Sequence, residues 1–132
     1  MNQPDPGIVT RPSPFSVPDT VDRLQKVLAA KGIRLFALID HSGEAEKVGL
    51  AMPPTKVLIF GNPAAGTPVM LAAPTAALDL PLKILVWQDS SSAVHLSWNS
   101  PAWLQQRHGI PDDLLKVLGA PEALTTLALT DS

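Results

Sequence analysis

Hydrophobic positions after Ser16 fall at Val17, Val21, Leu24 and Leu28, the i, i+4, i+7, i+11 spacing of one helix face. Lys31 extends the series at i+14, where its aliphatic stem can cover the end of the stripe. Ser16 followed by Asp19 resembles a capping box with Asp in place of Glu. Pro18 stands in the first turn and Gly32 in the C′ position. The pattern predicts a helix over Val17–Lys31, about four turns long and able to cover a sheet.

Elsewhere the period shortens to two. Val94, Leu96 and Trp98 alternate with His95, Ser97 and Asn99, which predicts a strand over Ala93–Asn99 with one wet face. It pairs as a hairpin with Leu82–Asp89 through a turn at Asp89–Ser92. Ile33–Asp40 reads as another strand. Lys56–Phe60 is a compact apolar run, expected as a central strand buried on both faces. Gly7–Arg11 is short and β-prone, and Pro12 is expected to end it. The polar segment His41–Gly49 is a loop or a short helix, and Pro53-Pro54 breaks any continuation.

Gly61-Asn62-Pro63 ends the central run. Asn62 can cap a helix with Pro63 at its first position, and Thr67-Pro68 offers a second start. On either choice Val69, Met70 and Leu71 are helical and Pro74 closes the segment, with a further helical turn over Thr75–Leu80. Ser100 and Pro101 open a helix over Ala102–His108 that Gly109 ends. Pro111–Leu118 and Pro121–Leu129 follow, separated by Gly119. Strands in the middle and helices at both ends point to an α+β fold.

The chain has 132 residues, room for one domain and hardly two. Its ordered core is expected over residues 7–129, with 1–6 and 130–132 frayed. At 45% hydrophobic and 17% charged residues, it is too apolar to be disordered. The net charge of -2 argues against a nucleic-acid partner, which needs a basic surface. Absence of cysteine excludes a disulfide framework, a thiolate metal site and a nucleophilic thiol. The first twenty residues lack the basic and apolar regions of a signal peptide. The longest apolar stretches, Val57–Phe60 and Ile84–Trp87, are too short to span a bilayer. The expectation is a soluble, cytoplasmic protein with no membrane partner.

Candidate chemistry is sparse. His41, His95 and His108 share no metal-binding helical spacing, so neither a metal site nor a cofactor is expected. His108 is expected in a last helical turn and His95 on the exposed face of its strand. Met52 and Met70 are soft ligands or, more simply, packing residues. No Gly-x-Ser-x-Gly elbow, phosphate-binding loop or dinucleotide fingerprint occurs. Phe60–Pro68 offers two glycines and one or two helix N-termini, whose free N–H groups could hold an anion or a carbonyl. The alternative there is a tight strand-to-helix turn with no ligand. Asp79 and Lys83 stand in an apolar stretch, and buried charges need partners. They pair with each other, or Asp79 caps a turn, or one of them lines a cleft with His41.

Taken together, Phe60-Gly61-Asn62-Pro63, Ala65-Gly66-Thr67-Pro68-Val69-Met70 and Leu80-Pro81-Leu82-Lys83 resemble the core motif of the domain of unknown function 302 family. Ile39-Asp40-His41, Pro54-Thr55 and Val86-Trp87 fit it as well, and the resemblance runs from about Gly7 to the final helices. Ala64-Ala65 stands where Lys-Ala is common in the family, so a lysine contact there would be missing. The resemblance implies a bent antiparallel sheet with helices packed on one side, a TATA-box-binding-protein-like architecture, and a homodimer. It implies no activity, and DNA binding does not travel with the fold.

Three functions fit these residues. The first is a dimeric small-molecule-binding module with a pocket near Gly61-Asn62-Pro63. There His41, Asn62, Thr67 and Lys83 would converge, with Asp79, over apolar walls from Met52, Phe60 and Met70. An anionic or carbonyl-bearing molecule would complement them. The second is an enzyme using His41 as acid/base, oriented by Asp79 or Lys83. The third is a structural or interaction protein whose motif is buried at a subunit interface without a ligand.

Overall fold

The computed structural model describes residues 6–130; of the termini expected to fray, 1–6 and 130–132, all but Pro6 and Thr130 lie outside the described residues. Five strands, β1 (Ile8–Ser13), β2 (Arg34–Asp40), β3 (Thr55–Gly61), β4 (Leu82–Gln88) and β5 (Val94–Asn99), form one antiparallel sheet in the order β1-β5-β4-β3-β2. Helices α1 (Val17–Ala30), α2 (His41–Lys47), α3 (Pro63–Ala72), α4 (Pro101–His108) and α5 (Ala120–Leu129) complete the α+β architecture. Short 3-10 helices at Pro74–Leu78 and Asp112–Gly119 join the later elements.

The core lies between the sheet and the helices on one side of it. From α1 come Val17, Val21, Leu24 and Leu28, all buried, as the helical stripe requires. Ser16 caps that helix by accepting from the Asp19 N–H at 3.2 Å. From the sheet come Leu58, Phe60, Ile84, Val86, Leu96 and Trp98, at alternate positions of three neighbouring strands. Leu118, Leu124 and Ala128 close the layer from the C-terminal segment.

Several local expectations change. Pro12 does not end β1, which runs on to Ser13; β1 is an edge strand, where the missing proline N–H leaves no ladder bond broken on its outer side. The Lys56–Phe60 run is buried on one face only. Leu58 and Phe60 are enclosed, while Val57 and Ile59 lie on the face that carries no helix. Of the two readings of the segment after β2, loop or short helix, the helix is the one found, because Asp40 caps it by accepting from the Gly43 N–H at 3.0 Å. Thr67-Pro68 starts no new helix: α3 runs through Pro68, which removes one interior hydrogen bond without ending the helix. Gly119 makes no break either, since Asp112–Gly119 continues into α5.

Candidate functional site

β3 ends at Gly61, and the chain turns at once into α3 with Asn62 as the capping residue. The Asn62 side-chain oxygen accepts from the Ala64 N–H at 2.9 Å. The N–H groups of Ala65 and Gly66 both donate to the Asn62 carbonyl at 2.9 Å, and Pro63 has none. The first turn of α3 therefore keeps no free N–H, and the expected anion cradle of main-chain donors is filled by Asn62 itself.

Beside this turn is a cavity of about 620 Å³, bounded by the end of β3, α3, the start of β4 and the Asp112–Gly119 segment. Its apolar wall includes Phe36, Phe60, Met70, Leu80, Leu82 and Val117. Four polar side chains also line it: Asn62, Thr67, Asp113 and Lys116. Leu80 and Pro81, joined by a cis peptide bond, line it from the β4 side.

Of the residues singled out in the sequence, Phe60, Asn62, Thr67 and Met70 share this cavity. His41, Met52, Lys83 and Asp79 do not. The reason lies in the antiparallel connection. β2 and β3 pair Asp40 with Lys56 and Arg34 with Gly61, so the end of β2 sits beside the start of β3. His41 and Asn62 thus occupy opposite ends of a seven-residue strand, roughly 20 Å apart. Met52, 42% exposed, precedes β3 at the His41 end. Lys83 is at the correct end but on the wrong face. It pairs with Ile59 opposite the core position Ile84, and its ammonium donates to the Pro81 carbonyl at 3.1 Å. Asp79 is paired with neither Lys83 nor His41. It accepts from His108 Nε2 at 2.6 Å and from Arg107 at 3.2 Å.

His95 is half-covered rather than freely exposed. It stacks on Trp87 with ring centroids 4.7 Å apart and meets Asp89 at 2.8 Å. The hydrogen bond from His95, with main-chain donors Ala93 and Ser91, holds the Asp89 carboxyl below the usual carboxylate range. Ser42 and the Gly43 N–H do the same for Asp40. Among the described residues no group of three His, Asp or Glu is placed to hold a metal ion.

Sequence reasoning missed Phe36, Asp113 and Lys116. Phe36 reaches the cavity because the β2–β3 register shifts between Leu35 and Ala37, a bulge with no local sequence mark. Asp113 and Lys116 belong to a predicted helix whose position over the turn depends on tertiary packing.

Residues 9–127 match the family described as Domain of unknown function DUF302. Curated relatives include the Fluoride-specific ion channel FluC 1 of Brucella suis biovar 1, 43% identical over 106 residues, covering 80% of this chain and 42% of that protein. The protein of the same name from Brucella abortus biovar 1 is likewise 43% identical, with 39% of its length covered. The chain thus spans about two-fifths of the length of the curated relatives it matches. A crystal structure of an uncharacterized conserved DUF302 protein from Bacillus stearothermophilus has a TM-score of 0.77 at 18% identity, covering 95% of this chain and 97% of that one. This likeness is one of fold.

Proposed function

The chain belongs to the DUF302 family, and from that premise we propose that it is a small-molecule-binding module, folded as one domain and assembled as a homodimer. The observation that carries this reading is the 620 Å³ cavity beside the Gly61-Asn62-Pro63 turn. Its size lies within the roughly 300–1,000 Å³ of ordinary ligand sites, and a mainly apolar wall with a few polar groups is their usual composition. An acid/base role for His41 has no comparable support, because neither Asp79 nor Lys83 is beside it.

The Brucella relatives are named as fluoride-specific ion channels, and most of their length lies beyond the match. No helix among the described residues is long and apolar enough to cross a membrane, and the sheet is open, with β1 and β2 as its edges. We read the shared segment as an accessory module in those proteins, with ion conduction assigned to their remaining length. A second copy of this chain is proposed to cover the helix-free sheet face, where Ile39, Val57, Ile59 and Leu85 stand. Sedimentation of a 14.0 kDa species alone at micromolar concentration contradicts the dimer.

A direct test of the cavity uses Nile red, an uncharged apolar dye. The protein should bind it at one saturable site per chain. Ala65→Trp, which places a large ring on the cavity wall, should abolish that binding while leaving the fold intact by circular dichroism. Absent saturable binding, or binding unaffected by Ala65→Trp, contradicts the reading.

A further inference from the structure

We propose that the cavity takes an amphiphile with an anionic head, a chain carboxylate, whose tail lies among the apolar side chains and whose head meets Lys116. This inference rests on the cavity reading above and adds the chemical class of its occupant.

The tail side of the argument is the lining. Phe36, Phe60, Met70, Leu80, Leu82 and Val117 present hydrocarbon and aromatic surface, with no buried charge among them that a chain would have to desolvate. The head side is the set of groups left without work. Lys116 is exposed on the cavity's border and makes no ion pair or hydrogen bond among the described residues. A second cation stands nearby: the Arg34 guanidinium lies 4.6 Å from the centre of the Phe36 ring, itself part of the wall. Asp113, on the same 3-10 helix as Lys116, is the one carboxylate of the lining among the described residues. Within the lining Lys116 and Asp113 balance, and Arg34 beside Phe36 adds a cation at its edge, so the local field favours a negative head group.

The main chain does not supply the head site. The first turn of α3 has spent its N–H groups on Asn62, so recognition of the head falls to side chains. Besides Lys116 these are the Asn62 amide N–H₂, whose oxygen is committed to the cap, and the Thr67 hydroxyl. All three donate hydrogen bonds, the complement of a carboxylate. A neutral or cationic head would leave Lys116 unpaired or repel it.

Isothermal titration below the micellar range tests this with three probes of equal chain: decanoate, decanol and decyltrimethylammonium. Decanoate should bind tighter than decanol by about fivefold, the worth of an exposed ion pair, and decyltrimethylammonium should bind weakest. Lengthening octanoate to decanoate should tighten binding by about fourfold for each methylene buried. Lys116→Gln should remove the advantage of decanoate and leave decanol unchanged, and Lys116→Arg should restore it. Decanol binding as tightly as decanoate, or a Lys116→Gln protein that still prefers decanoate, overturns the proposal. So does a protein that binds Nile red but none of the three probes, a result that leaves the cavity reading standing. A protein that binds neither Nile red nor any amphiphile overturns both.

Discussion

His108 Nε2 lies 2.6 Å from Asp79 Oδ2, and the opposite ring nitrogen lies 2.8 Å from Thr75 Oγ1. The imidazole, with a side chain only 2% exposed, joins the end of α4 to the 3-10 helix that precedes β4. Asp79→Ala should cost about 1–3 kcal/mol, since it strands a buried ring nitrogen. Arg107→Ala, removing the more exposed partner of the same carboxylate, should cost less than about 1 kcal/mol. Urea denaturation midpoints of the two variants check the order.

Gly7 has φ of +78°, and a Cβ built on it would stand 2.6 Å from the Trp103 ring. Gly32 has φ of +66° with open space around it. Both substitutions by alanine carry the left-handed backbone cost of about 1–2 kcal/mol, and only Gly7→Ala must also displace a packed indole. The thermal midpoint of Gly7→Ala should therefore fall clearly below that of Gly32→Ala.

Thr125 is fully buried on α5, and its hydroxyl has no hydrogen-bond partner among the described residues. Thr125→Val keeps the shape and removes the unsatisfied oxygen, so the variant should be more stable by about 1 kcal/mol. A raised denaturant midpoint at unchanged slope is the expected result.

The main elements were legible because each depends on short-range pattern. The stripe from Val17 to Leu28 and the alternation from Val94 to Trp98 specify their elements without knowledge of neighbours. Asn62 was legible as a cap for the same reason. Half of the candidate site was not. Whether His41 can reach Asn62 depends on strand direction, and whether Lys83 can reach it depends on which face a register assigns. Residue types near strand ends carry neither fact. The partnership of Asp79 with His108, 29 residues apart, likewise forms only when α4 packs beside the 3-10 helix.

Asp89 ties the β4–β5 turn together by accepting from the N–H groups of Ser91 and Ala93 and meeting His95. Its carboxyl sits below its ordinary value of 3.8 in the folded protein. The stabilisation is therefore present above that ordinary value and is lost as pH falls through the lower folded value. Asp89→Asn should be less stable than the parent at pH 7, and the gap should narrow below about pH 4. Urea midpoints of both proteins across that range check the sign.

The central claim is that a small molecule occupies the cavity between α3 and the Asp112–Gly119 segment. Native mass spectrometry of the chain purified from cells without a chromatographic step in detergent or organic solvent tests it most directly. The expected spectrum shows a discrete added mass, one per chain, that organic extraction removes and that Ala65→Trp protein lacks. A parent chain that carries no added mass, and acquires none on incubation with its own cell extract, contradicts the claim.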